Sequence, residues 1–527
     1  MRILPHPIDC NADFQRAFYL MEHTPKNVFI TGKAGTGKST LLNHFRQHTQ
    51  KKIAVLAPTG VAAINVQGQT IHSFFKFKPS VTVGSIKPVS DKQKKALYKA
   101  LQTIVIDEVS MVRADLLDCV DKFLRLNTGK GDHPFGGIQM IFIGDLYQLP
   151  PVVTSQERDI FASQYDSPYF FRAHFFKDFQ MEFIELETIY RQQDTRFIHL
   201  LNSIRNKTTT DKEIALLNER VTELAPEKTS VILTPKNADV ELMNAQQLEK
   251  LKTPLHTFEA KIECTFGKEY HPTKPTLDLK VGAQVMMVNN DQRQRWVNGT
   301  MGIIRRIITC EDSGKPLIIV NVGEDKDVFV SPHTWEIHRF VLKEEGGIQS
   351  ETMGSFTQYP LVLAWALTIH KSQGKTFHHV TLDIGSGSFM PGQVYVALSR
   401  CTTLEGLTLK RPIHKKHIWI DQTVVDFVTT FQYQASENKC PLETKITLLQ
   451  NAIEGNQSLE MTYLRATNEK SDRRITPLAV GPMSYQGSLY IGLKAFYHTS
   501  QSEKTFRVDR ILEMREVEDK LKMALTA

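Results

Sequence analysis

Residues 27–45, NVFITGKAGTGKSTLLNHF, constrain the fold more than any other stretch. A short apolar strand runs into a glycine-rich turn, and the turn opens a helix with Leu41, Leu42 and Phe45 on one side. Gly32, Gly37, Lys38 and Ser39 fit the pattern G-x-x-x-x-G-K-[ST]. In that geometry backbone N–H groups at a helix N-terminus cradle phosphates, the lysine reaches the β and γ oxygens, and the hydroxyl ligates magnesium. Such a unit needs a sheet with helices packed on it, so the expected class is α/β. Lys38 is then the phosphate cation and Ser39 a metal ligand, while Gly32, Gly35, Thr36, Gly37 and Thr40 complete the nucleotide cradle. The expected ligands are a nucleoside triphosphate and Mg2+.

A second buried strand, in TIVIDEVSM at 103–111, ends in two carboxylates. Lying beside the P-loop strand, it would deliver Asp107 to the magnesium shell and Glu108 to the attacking water as general base. A third, MIFIGDLYQLPPV at 140–152, ends in Asp145 and Gln148. An amide there can hydrogen-bond the γ-phosphate and register its loss, which makes Gln148 a sensor. Gln15, in NADFQRAF upstream of the P-loop, can pair with the adenine edge through one donor and one acceptor, selecting ATP over GTP; otherwise it is a solvated residue on a helix.

At 527 residues the chain is long enough for three to four domains of roughly 150 residues. Its 41% hydrophobic and 23% charged content exclude a disordered chain, and a net charge of +7 permits a polyanionic partner without requiring one. The six cysteines, at 10, 119, 264, 310, 401 and 440, form no C-x-x-C pair, which argues against a zinc site or disulfide framework and for a reducing compartment. Apolar runs such as PLVLAWALTI fall short of the roughly 20 residues that span a bilayer, and MRILPHPIDCNADF lacks the pattern of a secretory signal. The expected location is the cytoplasm, with no membrane partner.

The chain continues into a second α/β series. LETIYRQ at 186–192 places Arg191 after an apolar strand, and QVYVALSRC at 393–401 places Arg400 on an apolar helix. A lone arginine is usually solvated or structural. Two of them in a second unit suggest a cleft in which each guanidinium reaches the γ-phosphate as an arginine finger.

GKAGTGKST, LAPTGVAAINVQGQTIHSFF, IVIDEVSM, FGGIQMIFIGDLYQLPPV, LETIYRQ, LTIHKSQGKTF and VYVALSRCTT, taken in order, resemble the helicase motifs of the Pif (petite integration frequency) family, relatives of RecD in superfamily 1B. The resemblance covers about residues 10–412. It implies two RecA-like domains, a short insertion in the first, an SH3-like β insertion in the second, and 5′-to-3′ movement on single-stranded DNA.

By the same resemblance, His370, Lys371, Ser372 and Gln373 form a grip on the DNA backbone near the ATP cleft. Ser372 and amides around Gly374 can donate to phosphate, Lys371 can neutralise it, and Gln373 can report on nucleotide state. A matching grip in the first domain is read in 56–75. Pro58, Thr59 and Gly60 would hold one phosphate, and Thr70, His72 and Phe74 another phosphate and a base; Phe74 and Phe75 are alternatively core.

The expected boundaries are 1–180 for the first RecA-like domain, with a wedge insertion near 76–100; 181–283 and 358–430 for the second; 284–357 for the inserted β domain; and 431–445 for a linker. Within the insertion Trp296 and Trp335 are either base-stacking or core residues. Residues 446–527 resemble a WYL domain, with Leu489-Tyr490-Ile491 in place of the name-giving Trp-Tyr-Leu. Arg473, Arg474, Tyr490, Lys494, Arg507 and Arg510 match its ligand groove, here expected to bind single-stranded DNA; a solvated basic face is the alternative.

The resulting expectation is a bacterial, nucleoid-associated, monomeric ATP-dependent DNA helicase. Its partners would be single-stranded DNA and single-strand/duplex junctions, with G-quadruplexes or RNA–DNA hybrids as further candidates, and its setting DNA repair or telomere maintenance. Two other readings share the motifs: a DNA-stimulated ATPase that remodels protein–DNA complexes without unwinding, and a P-loop regulator whose WYL domain senses a nucleotide.

Overall fold

The computed structural model describes residues 11–516 apart from 79, 155–156, 223–229, 265, 310–315, 324–325, 343–347, 386, 388–389, 466–469 and 486–487. The chain divides into two compact units, the first ending at Trp419 and the second starting at Ile420, with Asn206–Thr208 grouped with the second.

Six strands build the first lobe: β1 (Asn27–Gly32), β2 (Ile53–Ala57), β3 (Gln69–Thr70), β4 (Thr103–Ile106), β5 (Gln139–Ile143) and β6 (Met181–Leu186). They form one all-parallel sheet in the order β3-β2-β4-β5-β1-β6. Both faces are covered, which is why TIVI and QMIFI are buried at every position and apolar apart from Thr103 and Gln139, which hydrogen-bond each other at 2.8 Å. Helices α1 (Ala12–His23) and α2 (Lys38–His48) bury Phe14, Leu20, Leu41 and Phe45 against Val28 and Ile30 of β1. Short helices α3 (Gly60–Asn65) and α4 (Ile71–Phe75) flank β3.

Two expectations change here. The strand ending in Asp107 does not adjoin the P-loop strand: β5 pairs with both and separates them. The first lobe also extends past residue 180, because β6 pairs with β1 along its whole length and closes the sheet edge.

In the second lobe, strands Val231–Thr234, Ala366–Thr368, Val380–Leu382 and Leu407–Leu409 form a four-stranded parallel sheet, with Val231–Thr234 between the second and third. Helices Thr195–Arg205 and Gln393–Leu398 pack on it through Phe197, Leu200, Val394 and Val396. The β insertion is larger than 284–357. It begins with strands Leu255–Glu259, Lys261–Cys264 and Thr276–Lys280 and ends after Leu361–Leu363, which closes a five-stranded sheet by pairing with Gln284–Met287. Trp296 and Trp335 are both buried within it, and Trp296 donates from its ring N–H to Asn289 Oδ1 at 3.0 Å, so both are core residues.

The second unit is an antiparallel five-stranded sheet of Leu459–Leu464, Lys470–Tyr485, Ser488–Tyr497, Ser502–Arg507 and Ile511–Glu516. Residues 431–445 are not a linker, because helix Gln422–Lys439 runs through most of them and Pro441 restarts the chain as helix Leu442–Glu454. Ser436 on the first helix lies 3.0 and 2.9 Å from the carbonyl oxygens of Ile511 and Leu512, and the buried Lys445 donates to its hydroxyl at 2.8 Å. Among the described residues no helix is long and apolar enough to cross a membrane.

Candidate active site and nucleic-acid interface

The P-loop turn depends on glycine at two points. Gly37 caps α2 in the left-handed region at φ 88°, and Gly35, at φ 84°, has no space for a side chain because a Cβ would lie 2.5 Å from the Cβ of Arg191. Lys38 donates to the loop's own carbonyl oxygens, Gly32 at 2.7 Å and Lys33 at 3.0 Å. Burial lowers its pKa against the opposing pull of Asp145 and Glu108. Ser39 and Thr40 are exposed in the first turn of α2, and Thr36 donates to Lys33 O at 3.0 Å.

At the end of β4, Asp107 is buried and its pKa is pushed up to about 7, first by desolvation and then by Glu108. Glu108, at φ 51°, is raised in the same direction by burial and accepts a hydrogen bond from Gln373 Nε2 at 3.0 Å. Gln148 is buried and donates to Asp145 Oδ2 at 3.2 Å. Gln15 lies on the exposed side of α1, whose cap Asn11 donates to Thr188 Oγ1 and Tyr190 Oη.

Arg191 and Arg400 converge on this cluster. Arg191 follows β6 of the first lobe rather than a strand of the second, and its guanidinium donates to Ser399 O at 3.3 Å. Arg400 is 1% exposed and donates to Val396 O at 2.8 Å, Lys375 O at 3.4 Å and Ser399 Oγ at 2.8 Å. Both meet only neutral acceptors; among the described residues neither has a carboxylate within ion-pair distance. Desolvation lowers both pKa values, that of Arg400 to about 9. Buried cations without a counter-ion are costly, and an arriving anion relieves them.

Sequence reasoning missed three members of the site. Arg205, buried at the end of its helix, pairs with Asp145 Oδ1 at 3.2 Å and lies 3.9 Å over the Tyr147 ring. Tyr395 accepts the Ala34 backbone N–H at 3.0 Å, tying the second lobe to the P-loop. Tyr190 donates its backbone N–H to Gly35 O at 2.9 Å, and its ring is 46% exposed beside Gly37. No local pattern marks Arg205, whereas Tyr190 and Tyr395 stood inside motifs already singled out, LETIYRQ and QVYVALSRC, without being read as site residues.

The grips are smaller than the sequence suggests. Thr59 is exposed and caps α3, with Pro58 and Gly60 beside it, and His72 is half-buried. Thr70 is not an open contact: its buried hydroxyl caps α4 and sits 2.8 Å from the Tyr270 hydroxyl. Phe74 cannot stack on a base, because it is buried in an aromatic cluster with Phe75 and Tyr98. Helix Lys92–Ala100, in the expected wedge, packs Tyr98 into that cluster. In the second grip His370 is half-buried and Lys371 exposed, but Ser372 is fully buried and donates to Ile369 O at 2.7 Å. Short hydroxyl side chains satisfied the turns instead of facing outward.

In the tail, strand alternation separates residues grouped as one groove. Arg473 lies on the side of Ile475 and Met461, with its guanidinium about equally close to the rings of Tyr463 (4.9 Å), Phe506 (5.1 Å) and Tyr497 (5.3 Å). Arg474 therefore points to the other face, which also carries Tyr490, Lys494 and Arg507. Arg507 lies 5.4 Å over the Tyr490 ring and pairs with Asp509 at 2.7 Å, and Arg510 is half-buried beyond the strand end.

Residues 14–214 match the PIF1-like helicase family model, and residues 444–516 match the WYL domain model. The chain is 31% identical over 440 residues to the ATP-dependent DNA helicase Pif1 of Bdellovibrio bacteriovorus, covering 81% of this chain and 93% of that protein. It is similar to the crystal structure of Bacteroides sp. Pif1 in complex with ADP-AlF4, with a TM-score of 0.75 at 36% identity, over 81% of this chain and 98% of that one. Bacteroides Pif1 bound to single-stranded DNA gives a TM-score of 0.58 at 38% identity, over 80% and 97% of the two chains. With the P-loop, the paired carboxylates and both arginines gathered at one cleft, and with a relative spanned nearly end to end at this identity, the chain belongs to the PIF1-like helicase family.

Proposed function

We propose that this chain is an ATP-dependent DNA helicase that moves 5′ to 3′ on single-stranded DNA and separates duplexes. The observation that carries the reading is the pair of desolvated guanidiniums, Arg191 and Arg400, held by neutral acceptors beside a P-loop whose lysine rests on its own loop carbonyls. A triphosphate supplies the missing anion: Lys38 turns from Gly32 O and Lys33 O to phosphate oxygens, and the arginines stabilise the charge that develops on the transferred group. Glu108 takes the proton from the attacking water, and Gln148 reports on the γ-phosphate through Asp145.

Mg2+ fits the same site. The Asp107 carboxyl is held near pH 7 by burial and by Glu108, a burden that a divalent cation relieves, and Ser39 offers an exposed hydroxyl nearby in the fold. Bound there, the ion would neutralise charge on the β and γ oxygens. Thr59 and Lys371 remain as exposed contacts for the strand, with amides of Gly60 and Gly374 beside them. The protein works as a monomer at single-strand/duplex junctions, and Arg474, Tyr490, Lys494 and Arg507 on one face of the tail bind further strand.

ATP hydrolysis measured with and without single-stranded DNA tests the motor reading. Stimulation by the strand is expected in the wild type and absent in Lys38→Ala; hydrolysis indifferent to DNA would favour a P-loop regulator.

A further inference from the structure

Lys375 follows the His370–Gly374 turn directly, and its side chain reaches out of the second lobe. Its Nζ donates to Asn298 Oδ1 at 2.5 Å. Asn298 lies between strands Gln284–Met287 and Met301–Thr309 of the β insertion, and its Nδ2 donates to Asn65 Oδ1 at 3.2 Å. Asn65 ends α3, the helix that Thr59 caps. The Asn298 loop is fixed by its backbone N–H to Asn290 Oδ1 at 2.8 Å and by the Gly299 N–H to Met287 O at 2.9 Å. One polar chain therefore runs from the helix of the first grip, through the insertion, to the second.

The main chain around the same lysine touches the hydrolytic groups. Arg400 donates to Lys375 O at 3.4 Å, the Phe377 N–H donates to Arg400 O at 2.9 Å, and Gln373 holds Glu108 at 3.0 Å. Residues 373–377 thus restrain both the base and a finger, while their lysine is tied to the insertion. The side chain is half-buried, desolvation lowers its pKa to about 8, and its partner is a neutral amide oxygen. A phosphate oxygen is the stronger acceptor, since it carries a negative charge and adds ion-pair attraction that a neutral amide oxygen cannot supply.

The geometry points to Lys375 as a positioning residue that couples strand occupancy to hydrolysis. Without a strand, the Asn65–Asn298–Lys375 chain holds the 373–377 segment in the arrangement that restrains Glu108 and Arg400; a DNA backbone phosphate takes the ammonium from Asn298 and releases both. This inference rests on the DNA-motor reading.

The test is ATP hydrolysis by the full chain with and without a saturating thymidine oligonucleotide. If the wild type shows no stimulation, the motor reading itself fails, and this inference with it. Given stimulation, Asn298→Ala should raise the strand-free rate about tenfold, the scale of one hydrogen bond to a charged group, and leave the saturated rate unchanged. Asn65→Ala, at an exposed position, should do the same from the other end of the chain. Lys375→Met breaks the same bond and should also raise the strand-free rate at unchanged KM for ATP, whereas Lys375→Arg, which can still donate to Asn298, should stay close to the wild-type rate. Wild-type stimulation ratios in Asn65→Ala and Asn298→Ala would overturn the proposal. So would a Lys375→Met variant with the wild-type strand-free rate, or a joint change of kcat and KM accompanied by a lower unfolding temperature.

Discussion

Replacing Asp107 by asparagine should stabilise the nucleotide-free protein at pH 8 while abolishing ATP hydrolysis. The carboxyl is 9% exposed, and its pKa rises from 3.8 to about 7, with desolvation the largest cause, Glu108 next, and Lys38 opposing. Because the folded pKa lies above the unfolded one, the native protein binds more protons between those values. The stabilisation is therefore full below about pH 4 and is lost as pH rises towards 7. At 1.36 kcal/mol per tenfold, the whole shift corresponds to about 4 kcal/mol. Glu108 shares the titration, so the part attributable to Asp107 is about 1–3 kcal/mol. Asparagine keeps the shape and the backbone N–H bond to Leu56 O at 2.9 Å without the charge. Thermal unfolding of the full chain should place the variant about 2–4 °C above wild type at pH 8, with the gap closing at pH 5. A variant less stable than wild type at pH 8, or an equal gap at both pH values, would refute the electrostatic argument.

Glu108→Gln should retain ATP binding and lose turnover, read by nucleotide titration beside single-turnover hydrolysis, whereas Lys38→Ala should lose hydrolysis but keep single-stranded DNA affinity. Arg400→Ala should reduce kcat by roughly 10³-fold or more with little change in KM, because a finger acts on charge developed in the transition state; equal losses in both constants would indicate ground-state binding instead. A chain ending at Trp419 should remain a folded ATPase, while one ending at 440 should be poorly soluble. The latter keeps helix Gln422–Lys439 but removes the strand carbonyls at Ile511 and Leu512 that Ser436 meets. Size-exclusion behaviour of the two truncations separates these outcomes.

The catalytic half of the site was legible because its chemistry is local. The glycines and Lys38 sit on one strand–turn–helix, and Asp107 and Glu108 end one short buried strand. Sheet order was not legible: nothing in MEFIEL says that it pairs with NVFITG, and nothing in TIVI says that QMIFI lies between it and the P-loop strand. Strands Leu255–Glu259 and Lys261–Cys264 escaped notice because they are largely exposed and carry too few apolar residues to alternate clearly. Arg205 acquires its role only through Asp145, 60 residues earlier in the chain. The split between Arg473 and Arg474 was available from the sequence, since neighbours on a strand face opposite sides.

The central claim is directional movement coupled to ATP, and strand displacement on matched duplexes tests it most directly. With ATP and Mg2+, a duplex bearing a 5′ single-stranded tail should be separated and the same duplex bearing a 3′ tail left intact, with no displacement by the Glu108→Gln protein. Equal displacement from both tails, preference for the 3′ tail, or ATP turnover on either substrate without separation would contradict the account.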